Sequence, residues 1–198
     1  MSQSTKDWFQ VAAWGITIIA GIVAAWKAIT EMRRSNDQRR EDMRWKQAEM
    51  AKKCLDEIFS NCQARAALRM LDWTGSVYTK PDKTETGSIT FESRRSALRT
   101  KDPIFPPGDD GPFIRDAYDE LFDGFERLEH FIRIKLILFE DVKQPLSYYV
   151  GKFAVQEERA VIQPFLQEYG FKFALDFLNR FPSWNKFDHL NSNTLQNG

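Results

Sequence analysis

Nineteen consecutive residues from Trp8 to Trp26, W-F-Q-V-A-A-W-G-I-T-I-I-A-G-I-V-A-A-W, carry no charge. At about 1.5 Å per residue such a helix spans roughly 28 Å, close to the hydrocarbon thickness of a bilayer. Asp7 precedes the run and Lys27 follows it. Trp8 and Trp26 bracket it as interface anchors, where indole rings sit at headgroup level. A cleaved signal peptide would show a basic leader, a shorter apolar core and a small-x-small exit. Here Trp26-Lys27 follows the core directly. A buried core helix of this length would carry polar residues on one face. The sequence therefore predicts a short external N-terminus over residues 1–7 and a transmembrane helix over residues 8–26.

The flanks set the orientation. Lys6 is the one basic residue before the run, whereas Lys27, Arg33, Arg34, Arg39, Arg40, Arg44 and Lys46 follow within twenty residues. Lys/Arg excess marks the cytoplasmic side, so residues 27–198 are expected inside. Residues 27–53 hold nine basic against five acidic residues, and residues 54–198 hold 18 against 22. The formal net charge of zero is thus a basic collar offset by a mildly acidic distal part. The collar could hold anionic headgroups at about 1 kcal/mol per nearby cation, although topology alone accounts for it. Within the run, Ala13, Thr17, Gly21 and Ala25 recur every four residues. Such a small-residue ridge lets helix backbones approach closely in lipid and predicts association through the anchor.

The remainder reads as one modest domain. Hydrophobic residues make up 42% of the 198, including 16 Phe, which excludes a disordered tail. Two cysteines are no disulfide scaffold, and zero net charge argues against a nucleic-acid partner. Residues 31–42 are almost wholly polar. Met43, Met50, Ala51, Cys54, Leu55, Ile58, Cys62, Ala66 and Met70 then recur at three and four, so residues 27–71 are expected as a basic stalk and one amphipathic helix. The spacing places Cys54 and Cys62 near one face as small buried hydrophobes in a reducing compartment. A parallel coiled coil around Met50–Met70 would suit an oligomer, though the charges form no clean heptad pattern.

Residues 72–112 are rich in turn formers, with a short helix expected from Ile89 to Leu98. Arg94, Arg95, Arg99 and Lys101 form a candidate anion-binding cluster there, against the plainer reading of a solvated basic face. Asp109-Asp110-Gly111 reads as the turn and N-cap before Pro112, since the other positions of a calcium loop are missing. A helix from Pro112 to about Leu138 carries an apolar stripe of Ile114, Ala117, Tyr118, Leu121, Phe125, Leu128, Ile132 and Leu136. Asp119, Asp123, Glu126 and His130 lie opposite as a solvated face. Glu126-x-x-Glu129-His130 falls short of a di-iron set, which needs Glu-x-x-His from two helices. A further helix follows through Tyr148, Tyr149 and Phe153. A strongly aromatic one then runs from Phe165 to Phe181 and is stopped by Pro182-Ser183-Trp184. Residues 113–184 are thus a helical bundle, and residues 185–198 a polar, disordered tail.

No phosphate-cradling glycine loop, nucleophile elbow, H-E-x-x-H or Cys-x-x-Cys pair occurs. The expectation is a non-enzymatic protein without metal or cofactor.

Phe125 to Val150, F-E-R-L-E-H-F-I-R-I-K-L-I-L-F-E-D-V-K-Q-P-L-S-Y-Y-V, together with the anchor and stalk, resembles small bacterial membrane-anchored helical proteins grouped as a domain of unknown function. Phe125-Glu126 and the stretch from Glu140-Asp141-Val142 to Tyr148-Tyr149 carry the resemblance. It implies a bacterial inner-membrane setting and no catalysis. The expected fold is all-α: one N-terminal transmembrane helix continuing into a long stalk helix and a cytoplasmic bundle. The expected function is self-association, as a homo-oligomer in the lipid bilayer, or binding of a protein partner. The alternative is a membrane effector of a bacterial defence or stress system, triggered by a ligand at the cytoplasmic domain.

Overall fold

The computed structural model describes residues 3–101 and 104–185; within residues 3–22 it describes the helical backbone and, of the side chains, those of Trp14 and Gly21. The described chain is all-helical. The helices are α1 (Gln3–Ser60), α2 (Cys62–Asp72), α3 (Phe91–Ala97), α4 (Gly111–Arg133), α5 (Phe139–Phe153), α6 (Gln156–Glu168), α7 (Lys172–Asn179) and α8 (Pro182–Asn185). Two compact units divide the chain, Met1–Lys46 and Gln47–Gly198.

In the first unit every residue from Val23 to Lys46 is exposed. Among the described residues no helix is long and apolar enough to cross a membrane. The side chains of Trp8, Ala13 and Thr17 lie outside the described residues, as does the expected tail from residue 186 onward.

The second unit is built around α4. Phe122 and Phe125 are fully buried, and the Phe122 ring lies 5.7–6.2 Å from those of Phe125, Phe153, Phe165 and Phe171. Phe125 adds Phe177 at 5.2 Å. Aromatic pairs at such separations add about 0.5–1.5 kcal/mol each beyond their area. The phenylalanines are therefore the cement of the bundle. Gly124 of α4 packs against the Ile58 side chain of α1: a Cβ at Gly124 would stand 2.8 Å from Ile58 Cγ1.

Several expectations are corrected here. The amphipathic helix does not run unbroken to Leu71. Asn61 is extended (φ −63°, ψ 119°) and its side chain accepts the Gln63 and Ala64 N–H groups at 2.9 and 3.1 Å. It thereby starts α2, and its amide donates to Glu120 Oε2 of α4 at 2.9 Å. The break rotates Cys62 out to solvent while Cys54 stays buried. Ala51, Cys54, Leu55 and Ile58 belong to the chain's own core, as do Ala64, Ala66 and Met70. Most of the apolar positions that a coiled coil around Met50–Met70 would use are therefore packed inside the chain's own core, with Met50 and Phe59 partly buried against it.

The α4 helix ends at Arg133, short of Leu138. Lys135 takes positive φ (61°), Leu136 N–H bonds back to Phe131 O at 2.9 Å and Lys135 N–H to Ile132 O at 3.1 Å, a Schellman closure. Leu136 consequently leaves the stripe and is partly exposed. Gly170 (φ 79°) splits the aromatic segment into α6 and α7. Pro182 opens α8 instead of stopping a helix, and Trp184 is fully buried.

The segment between α2 and α4 is more ordered than its composition suggests. Isolated antiparallel bridges join Ser76 to Ile89 and Thr79 to Glu85. Ile89 and Tyr78 point into the core. Asp110 occupies the N-cap position of α4, but its side chain makes no capping bond. It reaches instead to Gly87 N–H at 2.7 Å and Lys80 Nζ at 2.7 Å. Asp109 takes the capping role, accepting Gly111 N–H at 2.6 Å.

Candidate functional site

The four cations of residues 94–101 do not act as one cluster. Thr90 caps α3 through a reciprocal bond with Ser93. This sets the helix so that Arg94 points inward, 3% exposed. Its guanidinium donates to the Met70 carbonyl of α2 and to the Glu158 carboxylate of α6. Burial pushes the Glu158 carboxyl up, and Arg94 opposes that shift. Arg94 is thus a rivet joining three helices, not an anion ligand. A buried arginine needs such partners, because an unpaired charge in the interior is costly.

Arg95, Arg99 and Lys101 remain on the surface. They line a cleft of about 330 Å³ with Leu98, Thr100, Ala160, Val161 and Pro164. Arg95 makes an exposed contact with Glu92 at 3.7 Å. Opposite, Pro164 lies inside α6. Its ring has no N–H to give the Ala160 carbonyl one turn back. Tyr169 Oη donates to Thr100 O at 3.3 Å and fixes the cleft's other wall.

A second charged centre was missed in the sequence. Glu129 of α4 is 1% exposed. Arg180, just past α7, donates to both of its oxygens at 2.6 and 2.8 Å, and Arg133 Nε donates to Oε1 at 2.8 Å. Arg133 continues to Asp176 at 2.6 Å. Burial pushes the Glu129 carboxyl up, but the two arginines outweigh it and hold the group below its ordinary value. The Glu129–Arg133 spacing of four was the available signal. Arg180 is 51 residues from Glu129 and gave none.

The face of α4 opposite the stripe is not uniformly solvated. Glu126 accepts the Phe173 N–H at 3.1 Å, placing a carboxylate at the N-terminus of α7. Asp119 is half-buried; burial, reinforced by Asp116, Asp123 and Glu120 against Arg115, raises its carboxyl to about 6. Asp123 and His130 are exposed. Among the described residues no group of three or more His, Cys, Asp or Glu is arranged to hold a metal ion.

On α1, Trp26 is 72% exposed, and Thr30 Oγ1 bonds back to the Trp26 and Lys27 carbonyls at 3.1 and 2.8 Å. Gly21 and Ala25 are both exposed, and a Cβ added at Gly21 meets nothing within 4 Å. Comparison with protein-family models, curated proteins and solved structures returns no match.

Proposed function

We propose that the protein is a non-enzymatic, single-pass protein of the bacterial inner membrane. Its N-terminus lies outside, and its helical domain in the cytoplasm associates with copies of itself or with a protein partner. The observation that carries the reading is the uncharged run Trp8–Trp26 followed at once by a basic collar. A 19-residue run matches bilayer thickness, and the collar matches the cytoplasmic flank. Trp14, Val23 and Trp26 are large apolar residues between 61% and 72% exposed on α1. Apolar side chains placed so along one helix are what lipid would cover.

Self-association then falls to the ridge Ala13, Thr17, Gly21 and Ala25. Gly21 leaves room for a second backbone to approach, and Gly21→Leu would fill it. The test is membrane topology. In inverted inner-membrane vesicles protease should digest residues 27–198; in right-side-out spheroplasts it should spare them. Release of the protein by alkaline carbonate, or the opposite digestion pattern, would overturn the reading. Crosslinking in native membranes should give oligomers that Gly21→Leu diminishes. An unchanged ladder would remove the ridge from the account.

A further inference from the structure

We propose that the cleft between α3 and α6 is a binding site for a small organic phosphate, an ester with an apolar body about the size of a mononucleotide. The inference goes beyond the membrane reading and rests only on residues of the second unit. Arg95, Arg99 and Lys101 line one side of an opening of about 330 Å³, within the range that small-molecule sites occupy. Guanidinium forks suit phosphoryl oxygens, and a lysine adds a point charge. Cations in the last turn of a helix can simply complement its dipole. That explanation covers Arg95 but not Arg99 and Lys101, which lie beyond the end of α3 at Ala97.

Apart from Thr100 the rest of the lining is apolar: Leu98, Ala160, Val161 and Pro164. An inorganic ion would leave that surface unused; a base, ring or acyl stem would cover it. The walls are held in place before any ligand arrives. Arg94 rivets α3 to α2 and α6 from beneath, and Tyr169 holds the Thr100 carbonyl. Pre-set walls reduce the ordering cost of binding.

The same chemistry is offered by a soluble nucleoside phosphate and by a phosphatidic acid headgroup, and the assay separates them. Full-length protein in detergent micelles is titrated calorimetrically with inorganic phosphate, adenosine monophosphate and dihexanoyl phosphatidic acid. The expected result is that one organic phosphate binds at least about fivefold more tightly than inorganic phosphate. Preference for the nucleotide identifies a soluble ligand, and preference for the lipid identifies a headgroup. Arg99→Ala/Lys101→Ala and, separately, Ala160→Trp should each weaken that binding about fivefold or more, with thermal midpoints unchanged. Ala160 is exposed, so the tryptophan fills the cleft without entering the core. No binding of either organic probe at millimolar concentration would overturn the proposal. So would equal affinity for inorganic phosphate, or binding that survives both variants.

Discussion

Single residues here show charge placed where its surroundings decide its sign of effect. Glu129 is buried, yet its carboxyl sits below the ordinary value because Arg180 and Arg133 bond it. A depressed folded-state value means stability that is present above the ordinary glutamate value and lost as pH falls through the folded one. Glu129→Gln should therefore cost about 1–2 kcal/mol at neutral pH, since it removes the charge on which Arg180 and Arg133 converge while leaving both arginines part-exposed and Arg133 paired with Asp176. It should also flatten the acid limb of a denaturant-midpoint profile against pH. Asp119 runs the other way. Its carboxyl is raised to about 6, so the fold prefers the protonated form, and stability declines as pH rises through about 6. Asp119→Asn should raise the urea midpoint at pH 7 and abolish that decline. If both variants keep the parent profile, the two carboxyls do not govern it.

Lys135 is a third residue-scale case. It occupies a left-handed position that glycine adopts without steric cost. Its carbonyl also accepts from Gln47 Nε2 at 2.9 Å, a backbone bond that any side chain preserves. Lys135→Gly should stabilise the second unit by about 0.5–1 kcal/mol, read as a higher urea midpoint at constant slope.

At the scale of elements, packing hinges on places where one helix must yield to another. Gly124 of α4 faces Ile58 of α1, and a Cβ there would lie 2.8 Å from Cγ1. Gly124→Ala should destabilise by about 1–3 kcal/mol, the range for overpacked cores. Ile58→Val in the same chain should restore part of the loss; a simple sum of the two losses would show that the contact is not the cause. The apolar stripes of α1 and α4 were legible because helical period marks a buried face wherever it occurs. The break at Asn61 was not, since Ala64 and Ala66 extend a similar apolar pattern across it. Only the cap geometry and the bond to Glu120 reveal the turn. The bridges between residues 76 and 89 escaped for a related reason. They are backbone hydrogen bonds, which side-chain alternation does not encode over so few residues. Arg94 looked identical to Arg95 in the sequence. Its burial depends on Glu158, 64 residues away, and no local pattern carries that information.

At the scale of the whole molecule, the buried hydrophobic core extends from Ala51 to Trp184, and among the described residues Met50 is the first that packs against it. The second unit thus contains its own core, which is what independent folding requires. A truncated chain spanning residues 47–185 should unfold cooperatively with a thermal midpoint within a few degrees of the full chain. Loss of cooperativity, measured by calorimetry, would show that the first unit contributes to that core. The cleft between α3 and α6 was only half legible for the same reason. Its cations are neighbours in sequence, whereas its apolar floor comes from α6, about sixty residues later.

Trp184 gives the molecule an optical handle. It is fully buried, with the Arg159 guanidinium 4.9 Å from its ring and an Arg159 bond to its carbonyl at 2.7 Å. Trp14, Trp26, Trp45 and Trp73 are all at least 57% exposed. In the chain of residues 47–185, which keeps Trp73 and Trp184 alone, one indole therefore emits from a dry environment and escapes aqueous quenchers. Acrylamide should divide the fluorescence into a quenchable red component and a protected blue one. Disappearance of the blue component during unfolding would time the undocking of α8, separately from the loss of helix itself.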